Sequence, residues 1–187
     1  MNNDNLIEES AAKIIAGKVI LFPSDTNWVL GCKISNQHAI DRLIEISNSA
    51  DFKPVLLMSS LDMLKEYVNE IHPRIETLLI YNKRPLTIIF QEINFPFSPK
   101  ILENQIAIRI VHDDFCQKLI DKIEQPVLSV SVANKLLPYT LNFSEIDPLF
   151  KEKADFICKV HESKLSYGLL SILVSFNQDG ELQFIRT

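Results

Sequence analysis

Glycine is scarce in this chain, four among 187 residues, and the Gly-rich phosphate loops go with it: there is no Walker A and no G-x-G-x-x-G segment. Any phosphate held here falls to side chains and strand-end amides. Cys32, Cys116 and Cys158 are odd in number, far apart and without a C-x-x-C pair, which argues against a disulfide framework or a zinc site and for a reduced compartment. No run approaches the roughly 20 apolar residues that cross a bilayer, and MNNDNLIEES lacks the basic and apolar regions of a signal peptide. The expectation is a cytoplasmic protein with no membrane partner. Basic residues are the minority, 19 Lys plus Arg against 24 Asp plus Glu for a net charge of -5, so contact with nucleic acid has to be local. Neither a G-x-S-x-G elbow nor H-E-x-x-H occurs. His112 beside Asp113 and Asp114 resembles an acid/base group, but Asp at a helix start is accounted for by capping and the helix dipole. No catalytic residue and no metal ligand is assigned.

What is present is interleaved apolar periodicity. Helical spacing runs over Asp4 to Ala16 with Gly17 placed as a C-terminal cap, and from Ser35 or Asn36 through Ile46. Further helices are predicted after a Ser59/Asp62 capping pattern to about Ile71, from Pro73 to about Tyr81, and from Asp113 to Ile123; Ser144 and Asp147 form another capping pattern. Strands are predicted at Val19–Phe22, Trp28–Gly31, Lys53–Met58, Pro85–Phe90, Gln105–Ile110, from Pro126, and at Asp155–Val160, Ser171–Phe176 and Glu181–Arg186 after a Gly180 turn. In Gln105–Ile110 the three isoleucines share one face and Arg109 the other, while Leu128, Val130 and Val132 oppose Val127, Ser129 and Ser131. The fold class is α/β (α+β), with a twisted mixed sheet flanked by helices in a single domain, 1–187. A chain of this length buries about 70% of the surface its unfolded form exposes.

The most informative stretch is Lys18 to Lys33, KVILFPSDTNWVLGCK, two strand-like runs around the polar corner Ser24-Asp25-Thr26-Asn27. Such a corner also forms without a ligand, because Ser, Asp and Thr bond their own backbone. Its wording, Pro23 through Gly31, resembles the Pro-Thr-Asp-Thr-x-Tyr-Gly-Leu-Gly segment of the YrdC/Sua5/YciO family, with Ser24, Trp28 and Val29 as departures. Pro85-Leu86-Thr87 is similar to that family's Pro-Leu-Thr strand, Ala107-Ile108-Arg109 to its Ala-Ile-Arg strand, Ser171 to the start of its Ser-Thr-Ile-Val strand, and Ile185-Arg186 to its closing pair. These blocks fall in family order and cover nearly the whole length.

The resemblance implies a YrdC/RibB-like fold. It also implies a role near the synthesis of threonylcarbamoyl-adenylate from threonine, bicarbonate and ATP, the donor of the N6-threonylcarbamoyl group of a tRNA adenosine, or binding of double-stranded RNA. ATP with Mg is the cofactor it admits; nucleotide, RNA (tRNA or double-stranded RNA) or a protein is the partner. Carried over, Ser24, Thr26 and Trp28 line the threonine pocket, and Lys53, Arg109, Ser129, Ser131, Ser171 and Arg186 hold nucleotide or phosphate. Contact with RNA is expected chiefly from Arg109 and Arg186. Where the family has Lys-x-Arg before its Lys-Pro strand, this chain has Ser47 and Ser49. Two charged hydrogen bonds lost at about 1.5 to 3 kcal/mol each remove about 3 to 6 kcal/mol of triphosphate binding. Asn134 stands one residue further from Ser131 than the family's Ser-x-Asn spacing, which turns it to the other strand face. Two readings stay open: a divergent binding module with weak or no catalysis, and an active synthase.

Overall fold

The computed structural model describes residues 3–47, 53–90, 105–132, 142–159, 170–176 and 181–187. In chain order the strands are β1 (Ile20–Pro23), β2 (Trp28–Lys33), β3 (Val55–Met58), β4 (Leu86–Phe90), β5 (Ile106–Ile110), β6 (Val127–Ser131), β7 (Phe156–Ile157), β8 (Ile172–Phe176) and β9 (Leu182–Arg186). They form one sheet in the order β7-β1-β2-β6-β3-β5-β4-β8-β9. It is mixed, with β1/β7, β3/β5 and β4/β8 parallel. The helices are α1 (Asn3–Ile15), α2 (Gln37–Ser47), α3 (Leu61–Tyr67), α4 (Pro73–Tyr81), α5 (Asp114–Ile123) and α6 (Pro148–Lys153). This is the α/β architecture expected from the sequence.

Local chemistry sets the helix ends. Gly17 adopts φ 78°, and the amides of Gly17 and Lys18 donate to the carbonyls of Ile14 and Lys13 at 3.0 Å each, which closes α1 in a Schellman motif. Asn36 rather than Ser35 caps α2, its Oδ1 accepting from the Ala39 amide at 3.0 Å. The cap of α3 is Ser60, not Ser59: Ser60 has the extended backbone a cap needs and accepts from the Met63 amide, while the Ser59 hydroxyl turns to the Met63 sulfur. That helix stops at Tyr67, short of Ile71, because Val68 is already extended. The pattern read as Ser144/Asp147 resolves differently. The Asn142 amide donates to Glu145 around a one-turn 3-10 helix, Phe143–Glu145, and Asp147 caps α6. β7 is only two residues long, since β1 offers Ile20 and Leu21 as its partners; Val160, Gly180, Ser49 and Asn134 lie outside the described residues.

Pleating sorts the core into two faces. On one, Trp28, Leu30, Cys32, Leu56, Met58, Ile106, Ile108, Leu128 and Val130 pack with Ala39, Ile40 and Leu43 of α2. On the other, Ile20, Phe22, Val29, Leu57 and Val127 meet Ile7 and Ala11 of α1 and Phe115, Leu119 and Ile120 of α5. A smaller cluster joins Ile75 of α4 to Leu86, Ile88 and Val174. Gly31 is required by close approach, because a Cβ there would stand 2.7 Å from the Phe22 ring and 2.9 Å from Val127. On the α1/α5 side of the sheet Thr87 of β4 meets Ser171, the residue before β8.

Candidate functional site

The site is built on the hairpin Ser24–Asn27 between β1 and β2. Its four residues are buried, an uncommon state for a polar loop. The turn satisfies part of itself: the Ser24 hydroxyl donates to the Asn27 carbonyl at 2.7 Å and accepts from the Asn27 amide at 3.3 Å. The rest comes from β5. Arg109, 5% exposed, brings Nε to 3.1 Å from Asp25 Oδ1, and its Nη2 donates to the Ser24 hydroxyl at 3.3 Å. The Nε approach is off the N–H axis, so it is a charge contact in which both atoms keep their hydrogen-bonding capacity. Asp25 Oδ2 accepts from the His112 amide at 3.4 Å. By register the hairpin tip and the β5/α5 junction lie at opposite strand ends, with β6 and β3 between β2 and β5, and the coil of a twisted sheet brings them together.

Four further groups share this face. Leu57, paired with both Arg109 and Val127, fixes Arg109 on the same side as Val127, Ser129 and Ser131. Asn27 Nδ2 donates to the Ser131 hydroxyl at 3.4 Å, linking β6 to the hairpin. Thr87, the register partner of Arg109 in β4, shares a 2.7 Å hydrogen bond with Ser171, and Arg186 donates to the Ser171 carbonyl and hydroxyl at 2.9 and 3.1 Å. Behind the hairpin, Asp113 caps α5 by accepting from the Cys116 amide at 2.8 Å. Burial lifts the Asp113 carboxyl above its ordinary range, against the pull of that amide, and nearby Asp25 lifts it further. The Cys116 thiol, buried and donating to the Pro23 carbonyl at 3.4 Å, is also pushed up, chiefly by burial.

The structure thus brings together Ser24, Thr26, Arg109 and Ser131, with Ser171 and Arg186 on the same face. The other three are placed differently. Trp28 points the opposite way from this face, 1% exposed, with its ring 5.3 Å from that of Phe143; pleating gives the site side to Val29. Ser129 is buried and donates to the Val55 carbonyl at 2.8 Å. Lys53 is exposed on the lead into β3. Arg109, expected to hold phosphate and to contact RNA, is buried against Asp25. Asp25, Asn27 and Thr87 carry no site role in the sequence reading, and Asp113 is read there as a helix start, which its cap of α5 bears out. Asp25 and Thr87 lie inside quoted motifs, but no spacing rule joins Asp25 to Arg109. Among the described residues no group of three or more His, Cys, Asp and Glu stands together to hold a metal, and no helix is long and apolar enough to cross a membrane.

Fold and site together define an α/β protein with a hydroxyl-rich cluster around a buried arginine. The chain belongs to the Sua5_yciO_yrdC family, described as "Telomere recombination", whose model matches residues 12–187. It is 25% identical over 161 residues to a threonylcarbamoyl-AMP synthase of Pseudoalteromonas translucida, covering 83% of this chain and 86% of that one. It is 28% identical over 148 residues to the uncharacterized protein YciO of Escherichia coli K12, covering 76% and 69%. The fold superimposes on P. abyssi Sua5 complexed with L-threonine with a TM-score of 0.79 at 21% identity, covering 94% of this chain and 52% of that one. For E. coli YciO the TM-score is 0.74 at 21% identity, covering 97% and 88%. The chain thus spans about half the length of the Sua5 protein.

Proposed function

We propose that this protein is a YrdC-like nucleotide-binding module, related to the biosynthesis of threonylcarbamoyladenosine in tRNA, that makes little or no threonylcarbamoyl-adenylate. The observation that carries the reading is the commitment of Arg109 to Asp25. A guanidinium already neutralised in the interior contributes less field to a leaving pyrophosphate than one aimed at solvent. Ser47 supports it: where the resemblance calls for a cation, a hydroxyl at the end of α2 donates to the Ile44 carbonyl at 3.1 Å. Ser131, Ser171, Arg109 and Arg186 then hold the nucleotide, and Ser24 and Thr26 face its neighbour pocket. The second reading, an active synthase using threonine, bicarbonate and ATP, is favoured by the relative of that name aligned over 83% of the chain. RNA, tRNA or duplex, is a weaker partner whose binding falls steeply with salt, since the acidic chain neutralises few phosphates.

Two measurements test this. ATP at 100 times its dissociation constant should add about 2.7 kcal/mol of stability, read as a rise in melting temperature; no rise at millimolar ATP removes the nucleotide reading. Pyrophosphate release dependent on both threonine and bicarbonate should be near background in the natural protein and should rise in the double variant Ser47→Lys, Ser49→Arg. Robust turnover by the natural protein establishes the synthase instead.

A further inference from the structure

Five buried side-chain atoms among the described residues lack a hydrogen-bond partner: Ser10 Oγ, Arg84 Nε, Asp25 Oδ1, Arg109 Nε and Asp113 Oδ2. The last three belong to one cluster, where buried polar atoms are ordinarily matched. Its members come from three elements. The hairpin supplies Asp25, β5 supplies Arg109, and α5 supplies Asp113 at its cap and Cys116 one turn on, each bearing on the charge of Asp113; the neighbouring His112 side chain is exposed. Asp25 pairs with the guanidinium at 3.1 Å, and Asp113 adjoins that pair through its neighbours, the His112 amide donating to Asp25 and the Cys116 thiol to the Pro23 carbonyl beside it. We propose that Asp113 is a positioning residue of the Arg109 site, which takes up one proton when an anion binds the guanidinium. This rests on the reading of Arg109 as an anion-binding group.

An anion on Arg109 would be a third negative charge in a cluster with one positive charge, and the carboxylate already disfavoured by burial is the one that gains the proton. The proton comes from solvent to Asp113 Oδ2; only that O–H bond forms. Oδ1 continues to accept from the Cys116 amide, so the α5 cap survives. The new O–H is a donor in a cluster where Asp25 Oδ1 lacks one. By linkage, anion affinity rises as pH falls, by at most tenfold per pH unit for one proton.

The test uses sulfate, whose own charge does not change between weakly acidic and neutral pH. Calorimetric titration of the full chain, in buffers of different ionisation enthalpy, should show uptake of up to one proton per sulfate and affinity falling as pH rises. Asp113→Asn, whose amide oxygen can still cap α5, should bind sulfate with a flat pH profile and no uptake. In the natural protein the carboxyl carbon resonance of Asp113 should titrate at higher pH when sulfate is added, a readout that does not depend on the variant folding. Absent proton uptake, uptake unchanged in Asp113→Asn, an unmoved Asp113 titration, or no sulfate binding overturns the inference. If sulfate fails while ATP still raises the melting temperature, the proton-coupled anion site falls and the nucleotide reading stands.

Discussion

Removing the carboxylate of Asp25 by Asp25→Ala should be one of the most destabilising single changes available outside the apolar core. The pair it breaks is interior, with side-chain exposures of 6% for Arg109 and 1% for Asp25. Arg109 would be left with one 3.3 Å hydrogen bond to Ser24 for a guanidinium with five donors. Breaking a buried pair from one side costs about 3–5 kcal/mol, a large part of the roughly 5–15 kcal/mol that holds a domain folded. At about 2–4 °C per kcal/mol for a chain of this size, the melting temperature should drop by about 6–20 °C. The double variant Asp25→Ala, Arg109→Met removes both charges and should recover much of the loss, giving a coupling energy of about 2 kcal/mol or more in the cycle. Urea unfolding followed through the single tryptophan, Trp28, measures all three proteins. A loss under about 1 kcal/mol in Asp25→Ala, or additive single effects, would refute the claim that this pair pins the hairpin.

Gly17→Ala places a Cβ 2.4 Å from Asn36 Nδ2 at a φ of 78°, and should cost about 1–2 kcal/mol or more; an unchanged melting temperature rejects the Schellman closure of α1. Burial pushes the Cys32 thiol up to about 12 and the Cys158 thiol up to about 11, so both stay protonated and unreactive in the folded protein at pH 8. Ellman titration should find Cys32, Cys116 and Cys158 only after denaturation, and rapid native labelling would contradict their burial. Because the folded-state pKa of Asp113 is raised, the native state binds the extra proton, and its contribution to stability is lost as pH rises from the ordinary carboxylate range through the raised value. Asp113→Asn should flatten the stability-against-pH curve in that window, which denaturant midpoints across pH read directly.

The elements were legible where one period dominates. Ile106, Ile108 and Arg109 divided between faces as alternation requires, and Pro73 to Tyr81 formed the expected helix with Pro at its start. Errors gathered where two adjacent residues compete for one role. Ser59 and Ser60 both offer a capping hydroxyl, and only the backbone angles choose between them. Trp28 shows a different limit: a bulky residue inside a binding motif suggests a pocket wall, yet its place in the strand directs it into the core. The Asp25–Arg109 contact was hidden for a third reason. It joins opposite strand ends of β1/β2 and β5, with β6 and β3 between them, so it depends on the accumulated coil of the sheet, which no local pattern encodes.

The pairing of β1 with β7 carries a consequence for how the chain is made. The Val19 amide reaches the Asp155 carboxylate at 2.9 Å across 136 residues of sequence, and among the described residues the outer edge of β1 has no other strand against it. A ribosome adding about 5–20 residues per second leaves that apolar Ile-Leu-Phe edge open for roughly 7–27 s before its partner is synthesised. During that interval the nascent chain displays an unpaired strand of the kind that recruits a neighbour's strand. Slow or stalled translation near residue 150 should therefore lower the yield of native protein more than an equal delay before residue 20, although the finished fold is the same in both cases.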